Sequence, residues 1–261
     1  MQLKDKKGFI CDMDGVIYHG DRLLEGAKEF VEWLRDSNKN FVFLTNSSER
    51  SPKELRQKLL RMGLDVAEEH FYTSALATAS FLKSQCPGGS VFAIGEPGLL
   101  NALYDAGFTM NNINPDYVVM GETRSLNYDM IEHATLLVQR GAKLIGTNPD
   151  ITGPTENGIV PATGALISPI EIATGKKAYY IGKPNPLMMR IGLNMINCQS
   201  GSEACIVGDR MDTDVVSGIE SMIDTVLVLS GVTSKADIDN YPYRPSYVLN
   251  SVGDICKGEC K

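Results

Sequence analysis

Short apolar runs that end in glycine or polar residues recur along the chain, separated by segments whose apolar positions repeat at helical spacing. The first run, Gly8-Phe9-Ile10-Cys11, has charge on one side and Asp12-Met13-Asp14-Gly15 on the other, the pattern of a buried strand that stops abruptly. Ala27, Phe30, Val31 and Leu34 predict a helix over 26–35, and Phe41-Val42-Phe43-Leu44 a second buried strand running into Thr45-Asn46-Ser47-Ser48. Ser51-Pro52-Lys53-Glu54 combines an N-cap serine, a first-turn proline and a Glu three residues on; the helix it opens should run to about Met62 and close at Gly63. A strand at 71–73 and a helix over 75–82 complete three βα units, for which right-handed parallel crossovers are the expected topology.

After Cys86-Pro87-Gly88-Gly89-Ser90 a second series begins: strands at 91–94, 117–120 and 143–145, with helices over 99–106 and 128–140. The stretch 146–164 reads as long loops with a short strand near 159–160. Ser168-Pro169-Ile170-Glu171 repeats the capping-box chemistry and predicts a short helix ending at Gly175; a helix from 165 bent at Pro169 is the alternative. A third series starts with a strand at 178–181. It continues through a helix capped by Asn185 and Pro186, a strand at 204–207, the loop 208–214, a helix to 221, a strand at 225–229, and a small strand and helix near the end. These strands are too many for one comfortable sheet. The expected fold is therefore α/β: a Rossmann-like parallel-sheet core built from 1–84 and 178–261, with an inserted α/β cap at 85–177.

Composition narrows the class without choosing a function. The 261 residues are 43% hydrophobic and 22% charged, as in ordinary globular proteins, and the net charge of −7 argues against a broad nucleic-acid surface. The apolar run after the N-terminal lysines is too short for a signal peptide, and no stretch approaches the ~20 apolar residues of a membrane helix, so no membrane association and a cytoplasmic location are expected. Cysteines 11, 86, 198, 205, 256 and 260 are scattered as reduced thiols would be; Cys256 and Cys260 form a loose pair with no second pair to complete a metal site. The three histidines show no HExxH spacing, and no GxSxG nucleophile elbow occurs.

The candidate chemistry lies at predicted strand ends. Asp12 and Asp14, two apart on an extended chain, should share one side of it. Aspartate, with a reference pKa of about 3.9, is ionised at neutral pH and can attack phosphorus without a base. The obstacle is charge: two like charges at 4 Å repel by about 1 kcal/mol in water and about 4 kcal/mol at an effective dielectric of 20. Cations must therefore converge. Lys183, between Gly182 and Pro184, supplies one, and Asp209 and Asp214 suit a hard cation such as Mg2+. Thr45 and Asn46 add neutral donors, and Asp14 can protonate the leaving oxygen and later deprotonate water.

The motifs DMDGV, TNSS, GKP and GDRMDTD, in this order, resemble motifs one to four of the haloacid dehalogenase superfamily. Gly146-Thr147-Asn148-Pro149-Asp150 and Thr163-Gly164-Ala165 resemble the cap of its NagD-like phosphatases, subclass IIA. The resemblance spans nearly the whole chain from Gly8 to about Leu249. It implies Mg2+-dependent hydrolysis of phosphate monoesters through an aspartyl-phosphate. Asp12 would be nucleophile and metal ligand, and Asp14 the acid/base with its backbone carbonyl on the metal. Gly15, Thr45, Asn46 and Lys183 would hold the phosphoryl group, and Asp209 would ligate Mg2+. Asp214 would act through water or support the ligands. The implied substrates are small nucleotide or sugar phosphates, and the implied partner is a second copy meeting through the cap.

Simpler readings exist for each motif alone. DxDG also opens a calcium loop, but Val16 and Ile17 occupy positions that need a ligand and glycine, and Leu23 stands where the last ligand should be Glu. Asp209, Asp212 and Asp214 are first-turn acids that a helix dipole favours. Asn148 and Asp150 are candidates to reach substrate, against a plain Asx-Pro turn; Glu122 and Arg210 are equally open. The ordered set carries the reading. Its rivals are a phosphotransferase or mutase on the same scaffold and a non-enzymatic phospho-aspartate signalling domain.

Overall fold

The computed structural model describes residues 3–155, 158–198 and 201–257. The chain divides into two compact units: Met1–Thr45, Leu55–Tyr72 and Lys183–Lys261 form one, and Asn46–Glu54 with Thr73–Gly182 the other.

The first unit is organised by the strand Gly8–Cys11, which pairs in parallel with Asn40–Thr45 on one side and Ala204–Gly208 on the other. Asp224–Val228 and Tyr247–Leu249 extend the sheet in parallel beyond Ala204–Gly208, and Phe71–Thr73 lies beyond Asn40–Thr45. Side-chain alternation sends Phe9, Cys11, Phe41, Phe43, Cys205, Val207, Val226 and Val228 into one core, where the helix Ala27–Asp36 contributes Phe30, Val31 and Leu34. Phe9 meets Phe30 and Trp33 edge-on at 6.0 and 5.5 Å. Ile10 points the other way, toward Gly192 of the helix Pro186–Met195, where an added Cβ would sit only 2.9 Å from its terminal methyl.

In the second unit five parallel strands run in the order Tyr179–Tyr180, Lys143–Gly146, Tyr117–Met120, Ser90–Ile94, Thr109–Met110. Val118, Met120 and Leu144 pack with Leu137 and Val138 of the helix Tyr128–Gln139 and with Ile167 and Ile170 of Thr163–Thr174.

Local signals in the sequence translate directly. Glu54 accepts from both the backbone N–H and the hydroxyl of Ser51 (2.8 and 2.7 Å), completing the capping box of the helix Pro52–Arg61. Asn185 caps its helix by accepting from Leu187 N at 3.0 Å. Several expectations need correction. The strand at 179–180 belongs to the second sheet, so the first unit resumes at Lys183 rather than at 178. The helix Ser74–Gln85 packs against Pro97–Asp105 and belongs with the second unit, which moves the boundary expected at 84 back to 72. Ser168 opens no helix: Thr163–Thr174 is continuous with Pro169 inside it. Pro169 has no N–H for the carbonyl of Ala165, and the Ser168 hydroxyl donates to that carbonyl instead, at 2.8 Å. The stretch after Gly146 is more ordered than loops, since Thr152–Thr155 and Gly158–Pro161 pair antiparallel. The two-residue pairs Tyr18–His19 with Arg22–Leu23, and the strand Thr109–Met110, carry too short a pattern to announce themselves.

Phe30 is fully buried at the centre of the first core. Phe30→Ala should cost about 3–5 kcal/mol of that unit's stability, read from its urea unfolding transition.

Candidate active site

The strand Gly8–Cys11 ends where Asp12 N donates to Val207 O (2.8 Å), fixing Asp12 beside the neighbouring strand's end. The chain then turns, with Ile17 N donating to Met13 O and Gly15 N to Tyr18 O, both at 2.8 Å. Asp14 therefore stands in a turn, and strand alternation does not govern its position relative to Asp12. Met13 is buried in the core.

Lys183 Nζ lies 2.7 Å from Asp12 Oδ1 and 2.7 Å from Asp214 Oδ1, and its side chain is only 2% exposed. Burial alone would push this ammonium down, but the Asp12 and Asp214 carboxylates outweigh it and hold it above its ordinary value. The converse applies to the acids. Burial pushes Asp12 up and Lys183 only partly offsets it. Burial likewise takes Asp214 to about 6 against the pull of Lys183. Asp209 is raised well above the usual carboxylate range by burial and then by the charges of Asp12 and Asp214. It is held by Val232 N, which donates to its Oδ2 at 2.6 Å, while its Oδ1 is buried and accepts no hydrogen bond among the described residues. Carboxylate oxygens of Asp12, Asp209 and Asp214 lie within 4.8 Å of one another. Three buried acids against one ammonium leave two negative charges in excess, and the donors are all oxygen. That set fits a hard divalent cation.

The other expected residues fall as follows. Asp14 is 40% exposed, with Oδ1 3.7 Å from His19 Nδ1. Gly15 has φ +76°, and an added Cβ would collide with the Asp209 carboxylate, so its lack of a side chain is required there. Thr45 is buried at the end of its strand. Asn46, Asn148 and Asp150 form a network inside the second unit: Asn148 Nδ2 donates to Asn46 O (2.8 Å), Asn46 Nδ2 to Asp150 Oδ2 (3.1 Å), and Asp150 N to Asn148 Oδ1 (3.1 Å). The last is the Asx turn weighed above. Arg210 spends its guanidinium on Asp212, at 3.1 and 2.9 Å.

Two contributors escaped sequence reasoning. Gly231 lies against Asp209 as Gly15 does, and Ser230 Oγ donates to Gly15 O at 2.7 Å. Both follow the strand Asp224–Val228, so the strand-end rule that singled out the other motifs would have found them.

A family model described as haloacid dehalogenase-like hydrolase matches residues 9–109, and a second model of HAD-like hydrolases matches 180–255. A dihydroxyacetone phosphatase of Corynebacterium glutamicum (strain R) is 47% identical over 247 residues, 95% of this chain and 90% of that protein. The chain belongs to the haloacid dehalogenase-like hydrolases. Within this superfamily it is a NagD-like phosphatase. The ribonucleotide monophosphatase NagD of Escherichia coli (strain K12) is 44% identical over 95% of this chain and 98% of its own length. The structure of E. coli K-12 NagD superposes with a TM-score of 0.88, covering 95% of this chain and 98% of that one. A glycerol phosphate phosphatase of Mycobacterium tuberculosis, solved in complex with magnesium, gives 0.90 at 27% identity over 98% of this chain and 78% of that one. Among the described residues of this haloacid dehalogenase-like hydrolase, no helix is long and apolar enough to cross a membrane. Cys11, Cys86, Cys198, Cys205 and Cys256 are free thiols, and Cys260 lies outside the described residues.

Without Lys183 the acids lose their compensation. Lys183→Ala should lower stability by about 3–5 kcal/mol at pH 8 with chelator present. Folding raises the acids' proton affinity, Asp214 from 3.8 to about 6, so each acid's opposition to folding sets in above its unfolded pKa and is complete above its folded one. That opposition fades as protons bind on the way down toward pH 4. The Lys183→Ala penalty, measured by urea denaturation, should therefore be smaller at pH 5 than at pH 8.

Proposed function

We propose that this phosphatase hydrolyses small organic phosphate monoesters, nucleotide or sugar phosphates among them, through a phosphorylated Asp12. The observation that carries the reading is the pair of buried contacts at Lys183: one ammonium held 2.7 Å from Asp12 and from Asp214, with Oδ1 of nearby Asp209 accepting no hydrogen bond among the described residues. A nucleophilic carboxylate must meet an anionic ester; Lys183 offsets part of the negative charge, and a cation held by the acids would offset more. The named activities of the relatives, on dihydroxyacetone phosphate, ribonucleotide monophosphates and glycerol phosphate, all concern small monoesters.

In the proposed reaction an Asp12 carboxylate oxygen attacks phosphorus, and the bond from phosphorus to the ester oxygen breaks. Asp14, whose side chain is part-exposed, gives its proton to that departing oxygen. In the second half Asp14 takes a proton from water as the water attacks phosphorus and releases Asp12. Lys183 neutralises Asp12 and the phosphoryl oxygens, and Thr45 and Asn46 donate to those oxygens, with the Gly15 backbone close by. Asp12, Asp209 and the Asp14 carbonyl would hold Mg2+. When bound, the ion supplies positive charge where the phosphoryl group gathers negative charge. Asp214 has both oxygens engaged, one by Lys183 and one by Arg210 N at 3.2 Å, which favours a supporting role over ligation. Cytoplasmic location and pairing through the cap complete the reading.

Asp12→Asn should abolish release of inorganic phosphate while leaving the circular dichroism spectrum and melting temperature near those of the parent; substantial residual turnover would remove Asp12 as nucleophile. Excess EDTA should silence the parent and added Mg2+ restore it. Asp14→Asn should lose about 10²–10⁴-fold on alkyl phosphates, and less on p-nitrophenyl phosphate, whose leaving group needs little protonation. Equal losses on both would argue against Asp14 as the acid.

A further inference from the structure

The second unit contains a carboxylate for which the proposed chemistry has no use. Glu122 follows the strand Tyr117–Met120 and takes three hydrogen bonds: from Ser48 N at 3.0 Å, from Ser48 Oγ, and from Asn148 Nδ2 at 2.6 Å. The contact is reciprocal, since Glu122 N donates to Ser48 Oγ at 3.2 Å. Burial pushes the Glu122 carboxyl up, and the Ser48 and Asn148 donors oppose it. Gly121 lets the two segments approach, because an added Cβ would lie 2.5 Å from Ser48 Oγ.

Ser48 and Asn148 both lead to Asn46. Ser48 is two residues further along the same loop. Asn148 shares its amide between Glu122 and Asn46 O, and its own oxygen fixes Asp150 N, whose side chain in turn accepts from Asn46 Nδ2. Ser74 Oγ adds a second donor to Asn46 O, at 2.5 Å. The main chain and the amide of Asn46 are thus both tied into a circuit with an ionisable group at its base. Hydrogen bonds to a charged acceptor are shorter and stronger than neutral ones, so the carboxylate form stiffens the circuit as an amide would not.

We propose that Glu122 is a positioning residue for phosphate binding: it fixes the Asn46–Ser48 loop directly through Ser48 and indirectly through Asn148. This rests on the reading of Asn46 as a phosphoryl donor and adds the group that aims it. Nothing requires Glu122 to touch substrate.

In Glu122→Gln the side-chain NH2 must face either the Ser48 donors or the Asn148 amide, so one side of the circuit opens. The expected result is a roughly tenfold rise in the inhibition constant of inorganic phosphate, with kcat/KM falling in parallel. In the cycle with Asn46→Ala, the double variant should be no worse than Asn46→Ala alone, because the two substitutions remove the same interaction. If Glu122→Gln does not fold, Ser48→Ala, which removes the hydroxyl that donates to the Glu122 carboxylate and accepts from Glu122 N and Thr147 Oγ1, should shift phosphate inhibition in the same direction. A variant that melts earlier but keeps the parental inhibition constant would overturn the inference, as would losses that multiply with those of Asn46→Ala. Should Asn46→Ala itself leave phosphate inhibition unchanged, the positioning role falls, while the assignment of Asp12, which is judged by turnover in Asp12→Asn, is unaffected.

Discussion

A single ammonium group, removed from water and set between two carboxylates, is the constraint around which the first unit is arranged. Lys183 is 171 residues from Asp12 and 31 from Asp214, so the contacts exist only once the chain has left the second sheet and re-entered the first. Each carboxylate is delivered by a parallel strand end, Asp12 after Gly8–Cys11 and Asp209 and Asp214 after Ala204–Gly208, and those two strands are neighbours. Adjacent strand ends crowd negative charge into one small volume. Lys183 offsets only part of that charge, and the part it leaves, on oxygen donors, suits a hard cation.

The four motifs were legible because the information they carry is local. A carboxylate pair after an apolar run, a capping serine before a proline, and an asparagine before Pro186 each predict their own geometry from a few residues. What failed was whatever depended on a partner elsewhere. Tyr179–Tyr180 looks like the first strand of a new series, yet its neighbour is Lys143–Gly146, and no feature of the dipeptide says so. Thr109–Met110 is exposed at both residues and offers no burial pattern to read. Pro169 was ambiguous for a different reason: whether a helix tolerates proline depends on what becomes of one carbonyl, and here a neighbouring serine answers it. Asp14 does not follow strand alternation, since a turn rather than a pleat carries it.

The polar residues of the second unit show how a site residue and a structural residue can look alike in sequence. Asn148 closes an Asx turn onto Asp150 N, the plain reading, and with the same side chain ties down Asn46 O. A turn residue that also braces a phosphate-loop candidate satisfies both descriptions, and only the distribution of its hydrogen bonds separates them.

Gly15 and Gly231 lie together against Oδ2 of Asp209, each with its own backbone where a side chain would stand. The oxygen that Val232 N holds is therefore walled by main chain. A side chain added at either glycine would have to displace that carboxylate, so this wall admits no retuning by substitution.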